Sequence, residues 1–265
     1  MSEDVDPFYL DVLESLKGKG WLSIGDSVLV VCGGGLDRSV WLAASFTKVT
    51  ISNLDERMTG HEYAPFEWLF VDSEKIDRPD ESFDWVVVHS GLHHCYSPHR
   101  AIAEMWRVAR KGVIGFEPRD GWYPRLGVRL GFGQQYEHAA VFYNGMDYGG
   151  VANTAIPNYV YRFSERELAQ TIACLDPTRV HEFYFKHTTR IPWARLEGLS
   201  NPLFRFSAKA LKPVLILLSR CKWFANNIAF AARKGSVETD LHPWLEANDA
   251  GAVQPNHDWF KQTYS

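Results

Sequence analysis

The stretch Ser27-Val-Leu-Val-Val-Cys-Gly-Gly-Gly-Leu-Asp-Arg-Ser39 decides how this chain is read. Its unbroken apolar run, rich in β-branched residues, reads as a strand buried on both faces. Gly33, Gly34 and Gly35 permit a tight turn with positive φ and a close approach of backbone to a ligand. The residues after them can open a helix whose free N–H groups face polar ligand groups. Strand, glycine turn and helix in this order make the first unit of a doubly wound sheet, where a nucleotide-like cofactor sits. A glycine turn alone is weak evidence, so the flanking segments must carry the reading.

Those segments alternate as the first unit requires. Before it, Pro7–Leu16 spaces Phe8, Val12, Leu13 and Leu16 as a helix face. After a helix from about residue 37 to 46, Lys48–Leu54 is a second strand, ending at Asp55. An acid about twenty residues past the glycine turn can bind both hydroxyls of a ribose, or can cap a helix. Phe66–Val71 is a third strand, ending at Asp72-Ser73; Asp72 there reads as a ligand contact or a turn acid. Phe83–Val88 is a fourth, followed by His89-Ser-Gly-Leu-His-His-Cys95 and a helix over about 98–110. A fifth, Val113–Phe116, stops at Glu117-Pro118. Five strands alternating with helices give an α/β, doubly wound parallel sheet with right-handed crossovers.

The pattern then changes. Arg119–Tyr161 is rich in glycine and aromatics without clear period, and a long irregular stretch beyond a strand's carboxyl end is expected to form a lid or substrate loop. Ser164-Glu-Arg-Glu167 is a capping box opening a helix. Val180–His187 and Asn226–Arg233 read as the last strands, with a helical insert at about 201–224 that Pro213 is expected to break. The tail after Gly235 is expected to be loosely docked or disordered. The whole reads as one domain over 1–265. Its core is about 20–118 and 161–234, with insertions at about 119–160 and 193–224 and a tail at 235–265.

Composition limits the functions. Hydrophobic residues make up 46% and charged residues 23%, which supplies a core and excludes global disorder. A formal net charge of -4 argues against nucleic acid as a partner. Cys32, Cys95, Cys174 and Cys221 show no disulfide or zinc spacing. The acidic start is unlike a signal peptide, and Val214–Leu218 is too short to span a bilayer, so a cytoplasmic location is expected.

The block Phe83-Asp-Trp-Val-Val-Val-His-Ser-Gly-Leu-His-His94, then Ala101–Ala109 with Lys111-Gly112, then Gly115-Phe-Glu-Pro118, resembles the class I S-adenosylmethionine-dependent methyltransferases. It is most similar to the group whose fourth strand ends near a Leu-His-His motif. The resemblance covers roughly Val28–Glu117. It implies a Rossmann-like seven-stranded sheet, mostly parallel with an antiparallel last strand. It also implies S-adenosyl-L-methionine contacts at Cys32, Gly33, Gly34 and Gly35, the ribose on Asp55, the adenine amine near Asp72 and Ser73, and Ser90 and His94 beside the cofactor. Three positions depart from the family: Val30 stands where an acid is usual, and Cys32 and Leu36 replace glycines. Another group must then take the cofactor's ammonium.

Methyl transfer to oxygen needs a proton removed, which makes His138 and His94 the candidate catalytic bases, with Glu137 a weaker one. His89, His93, His94, Cys95 and His99 crowd together, but the spacing fits no zinc pattern and His93 and His94 are expected to point apart, so no metal is expected. From Gly198 to Val237 there is no acid, but there are Arg205, Lys209, Lys212, Arg220 and Lys222 among apolar residues. This stretch reads as a cover for the cleft with solvated basic faces, or as a peripheral membrane contact through 201–224. The leading function is O-methylation of a small-molecule, sugar or lipid-linked acceptor. The alternative is a non-catalytic or regulatory protein that kept the fold. A nicotinamide-dependent oxidoreductase is disfavoured, because the turn lacks Gly-x-Gly-x-x-Gly in register.

Overall fold

The computed structural model describes residues 5–191, 193, 198 and 202–265, with the side chains of 202–205 and 207–209 left aside. The acidic start at 1–4, part of the expected 193–224 insertion, and the Arg205 and Lys209 side chains lie outside these described residues.

Strand β1, Val28–Val31, lies at the centre of a seven-stranded sheet of order β3-β2-β1-β4-β5-β7-β6. Its neighbours are β2 (Val49–Asn53) and β4 (Phe83–His89), both parallel to it. Strand β3 (Glu67–Phe70) extends one edge, and β5 (Ala109–Pro118) follows β4 on the other side. β7 (Asn227–Arg233) runs antiparallel to both β5 and β6 (Glu182–Thr188). The order reverses at β1, so the crevice of a doubly wound sheet opens between the carboxyl ends of β1 and β4.

Both faces of β1 are buried, as its continuous apolar run requires. Val28 and Val30 pack with Ile51, Trp85 and Val87 under helices α1 (Pro7–Gly18) and α2 (Gly35–Ala43). Leu29 and Val31 pack with Val86 and Val88 under α3 (Pro98–Val108) and α6 (Glu165–Leu175). Helices α1, α3 and α6 begin where the sequence supplies a side-chain cap. Asp6 receives the N–H groups of Phe8 and Tyr9, Ser97 that of Arg100, and Ser164 and Glu167 form the expected box. In the β5–β7 pair Gly115 faces Phe230, whose ring occupies the space of the missing side chain; a Cβ there would sit 2.2 Å from it.

Two expectations change on contact with the structure, and the two alternatives left for the tail resolve to one. The 119–161 segment is partly helical, with α4 (Trp122–Arg129) and α5 (His138–Tyr143). The helix α7, Pro202–Leu218, runs through Pro213: a proline removes one backbone bond and bends a helix without having to end it. The tail is docked. The Val180 N–H donates to the Asp240 carbonyl at 2.7 Å, β8 (Leu245–Ala247) pairs with β9 (Val253–Pro255), and Trp244 and Trp259 on α8 (His257–Tyr264) meet at 5.8 Å. Isolated tryptophans in a polar tail thus find each other, a pairing no local pattern encodes.

Candidate active site

The turn after β1 works differently from its sequence reading. Positive φ falls on Cys32 (54°), and none of Gly33, Gly34 and Gly35 adopts it. Gly33 is required by packing, since a Cβ there would lie 2.7 Å from Ile51 Cγ2. Gly34 caps α2, its N–H donating to Asp37 Oδ2 at 2.8 Å, and Gly35 opens that helix. Turning at Cys32 aims its thiol at the end of β3. Its Sγ is 3.5 Å from Ser73 Oγ, which lies 3.2 Å from Cys95 Sγ. Hydrogen bonding to Cys95 lowers the Cys32 thiol, while the same contact and burial push Cys95 up.

A cavity of about 310 Å³ opens at these strand ends. Cys32, Gly33, Asp55, Asp72, Ser73, Ser90 and His94 all line it; Gly34 and Gly35 do not. Asp55 stands just past β2 with its carboxylate taken by Arg57, at 2.7 Å from Nε and 2.5 Å from Nη2. The Arg57 guanidinium holds that carboxyl below the usual carboxylate range. Arg57 itself lies over the Tyr148 ring, 3.0 Å from its centroid. Gly149, Gly150, Ala152 and Asn153 complete the rim, so the aromatic segment after β5 closes over this cavity. The rim falls within the 119–161 segment expected to form a lid or substrate loop, whereas Arg57 was not visible as site material in the sequence.

A second cavity, about 400 Å³, adjoins the first through Ser90. Ser90 is held at φ 53° with its N–H on the Phe116 carbonyl at 2.8 Å. The cavity walls carry Tyr123, Phe132, Gln134, Glu137, Arg162, Asn226 and Asn227. His138 lines neither cavity: it is exposed at the start of α5, with its ring 6.5 Å from that of Tyr136. Its neighbour Glu137 turns inward instead. Among the described residues, none of those from 202 to 224 lines the second cavity, although Phe224 backs it by packing 5.5 Å from the Tyr123 ring.

Between the two cavities sits a polar cluster. Glu117, at the end of β5 and 1% exposed, accepts the N–H groups of Gly91 and Leu92 at 2.9 and 2.8 Å. Its other oxygen takes His93 Nδ1 at 2.7 Å. His93 Nε2 and His94 Nε2 stand 3.3 and 3.4 Å from Glu137 Oε2. The two rings lie 4.5 Å apart on the short 3₁₀ turn Leu92–His94, so the expectation that they diverge fails. That expectation assumed strand geometry, and a 3₁₀ turn does not alternate side chains across a sheet. Burial alone would lower the His93 imidazole, but the carboxylates of Glu117 and Glu137 outweigh it and raise it to about 10. The His93 hydrogen bond overcomes burial at Glu137 and lowers its carboxyl to about 2. Burial and the neighbouring His93 charge push His94 down. Glu117 escaped the sequence reading because it was taken only as a strand end. The usable signal was an acid closing a fully apolar strand, which must find buried donors.

Residues 29–116 match the family described as methyltransferase domain. No curated protein matches the chain in sequence. Among solved structures, a presumed methyltransferase of Bacillus halodurans is 17% identical, covering 85% of this chain and 100% of its own, with TM-score 0.50. An S-adenosylmethionine-dependent methyltransferase of Mesorhizobium loti is 14% identical over 84% and 99%, with TM-score 0.48. The magnesium protoporphyrin IX methyltransferase of Synechocystis, solved with S-adenosylhomocysteine, is 13% identical over 86% and 82%, also at 0.48. The first likeness speaks to the fold.

Removing the Glu117 carboxylate strands two buried N–H groups and a buried imidazolium. Glu117→Ala should therefore cost about 3–5 kcal/mol of unfolding free energy in a urea titration. Glu137→Ala, on a part-exposed carboxylate, should cost less than half of that. Equal losses would show that Glu117 is not the anchor.

Proposed function

We propose that this chain is a class I S-adenosylmethionine-dependent methyltransferase, a reading supported by the family match over residues 29–116 and the strand order, and that its first cavity holds the methyl donor while the second holds a small hydroxylated acceptor that is methylated on oxygen. The residues of the first cavity fit S-adenosylmethionine. The donor's ribose hydroxyls and adenine amine are hydrogen-bond donors, and Asp55 and Asp72 offer carboxylate acceptors at two successive strand ends. The bound sulfonium supplies a methyl group set up for in-line displacement by a nucleophile.

The observation that carries the reading is the shared wall. His94 lines the first cavity, His93 and Glu137 line the second, and Ser90 lines both. A polar cluster at that joint is placed where an acceptor hydroxyl meets the donor and loses its proton. The second cavity offers two aromatic faces, Tyr123 and Phe132, and three side-chain amides, Gln134, Asn226 and Asn227. Aromatic faces suit a flat metabolite or a sugar ring, and amides can both donate to and accept from its hydroxyls. Holding acceptor and donor in adjoining cavities supplies much of the rate by orientation alone.

The lipid-linked form of this acceptor has separate support. Helix α7 leaves Phe206, Leu211 and Leu217 exposed, and Trp223 follows it at 72% exposure. Lys212 and Arg220 accompany them in a stretch of sequence without acids, while Lys222 is turned to Glu165 Oε1 at 3.1 Å. An apolar helix face beside cations suits the surface of an anionic bilayer. No helix among the described residues is long and apolar enough to cross a membrane.

Two measurements test these readings. In calorimetry, S-adenosylhomocysteine should bind wild type, and Asp55→Asn should weaken it by about 10–100-fold, the worth of one or two charge-assisted hydrogen bonds. No binding by wild type at millimolar ligand would sink the donor assignment. In sedimentation with vesicles of mixed neutral and anionic phospholipid, Leu217→Glu combined with Trp223→Ala should lower partitioning at least ~10-fold. Partitioning indifferent to both changes would remove the membrane contact.

A further inference from the structure

We propose that His93, His94 and Glu137 form a binding site for a zinc-like divalent transition-metal ion, which holds the acceptor's oxygen at the joint of the two cavities. The location of the site stands on its own geometry; its role rests on the reading of the second cavity as the acceptor site.

Geometry selects the ligand set. The donor atoms of these three residues all lie within 4.8 Å of one another. The two imidazole Nε2 atoms stand 3.3 and 3.4 Å from the same carboxylate oxygen. Four ligands placed tetrahedrally at about 2.05 Å from a zinc ion are separated from each other by about 3.3–3.4 Å. Both observed edges already have that length. An octahedral magnesium site would need shorter edges, about 2.9 Å, and prefers oxygen ligands throughout. Two imidazoles and one carboxylate are the donor types of zinc and its first-row neighbours.

The outer contacts point the same way. Metal-bound imidazoles hold their second nitrogen on a carboxylate or carbonyl, which fixes ring and tautomer. His93 Nδ1 is 2.7 Å from Glu117 Oε2, and His94 Nδ1 is 3.3 Å from the Gly150 carbonyl. Glu137 is itself oriented, with Asn158 Nδ2 donating to Oε2 at 3.4 Å. Each of the three ligands therefore has a partner that holds its ring or carboxylate in place. These partners come from β5 and from two parts of the segment that follows it, so the site assembles only in the folded chain.

Three protein ligands leave a fourth position open, as in zinc sites that act on a substrate. His93 and Glu137 line the second cavity, so that position faces the acceptor. An ion there lowers the pKa of a bound hydroxyl. The hydroxyl proton leaves to water in the second cavity and the oxygen bonds to the methyl carbon. The carbon–sulfur bond breaks with its electron pair going to sulfur, which turns the sulfonium into a neutral thioether.

The test uses untagged full-length protein stripped with a chelator and then dialysed. Zinc chloride is titrated by calorimetry, cobalt chloride by visible absorption, and S-adenosylhomocysteine affinity is measured on the same preparations. Wild type should take one zinc per chain, and the cobalt form should show the intense visible bands of tetrahedral coordination. Glu137→Gln should weaken zinc at least ~100-fold while leaving S-adenosylhomocysteine affinity within a few-fold. Glu117→Gln, which keeps an acceptor oxygen for the turn, should weaken zinc by about 10–100-fold through His93. Absence of stoichiometric zinc in wild type, or equal zinc affinity in Glu137→Gln, overturns the site and leaves the cluster a closed ion-pair network. S-adenosylhomocysteine binding without zinc binding defeats this inference and spares the methyltransferase reading; zinc without S-adenosylhomocysteine does the reverse.

Discussion

A carboxylate at the end of a buried strand has to be met by donors, and much of this site follows from how Glu117 meets that demand. It sits at the carboxyl end of β5 with almost no exposure to water. Left unpaired there it would cost several kcal/mol. The structure supplies two backbone N–H groups and an imidazole. To deliver them the chain must turn sharply after β4, which it does at Ser90 with φ 53°. Gly91 then has to be glycine, because a Cβ would lie 2.4 Å from that of Cys32. The same turn places Ser90 between both cavities and winds His93 and His94 into one 3₁₀ turn facing Glu137.

The two cavities inherit their chemistry from this arrangement. The first is built by the ends of β1, β2 and β3, and its acids Asp55 and Asp72 face it from just beyond those strands. The Asp55 carboxylate is occupied by Arg57, which is stacked on Tyr148. A ribose seated on Asp55, as proposed, would compete with or share that ion pair, which would couple donor binding to the position of the aromatic segment. The second cavity belongs to that aromatic segment and to the residues that start β7. Its polar corner is the imidazole and carboxylate pair supplied by His93 and Glu137.

How much of this could be read in the sequence follows from how far apart the interacting residues are. The strands, their order of appearance and the doubly wound sheet came from local patterns: apolar runs, caps and strand-end acids. Asp55, Asp72, Ser73, Ser90 and His94 were legible because a parallel sheet gathers strand ends into one crevice. Glu137 was ranked below His138 because a histidine has the better intrinsic pKa; only tertiary packing shows that Glu137, just before α5, turns inward while His138, its first residue, faces outward. The three glycines were legible as a turn but not in their roles, since the strained φ moved to Cys32 and Gly33 answers to Ile51, a residue on another strand. The convergence of His93 and His94 was lost to an assumption of strand geometry. Asp55's pairing with Arg57 was not among the readings of a strand-end acid, since an i, i+2 ion pair carries no sequence pattern of its own.

On this reading donor and acceptor occupy adjoining cavities separated by the Ser90 and His93–His94–Glu137 wall. A crystal structure of the protein with S-adenosylhomocysteine tests it most directly. The ribose should lie on Asp55, the adenine beside Asp72 and Ser73, and the sulfur should be directed toward the wall at Ser90. A nucleoside seated in the cavity of Tyr123 and Phe132, or bound away from Asp55 and Asp72, would contradict it.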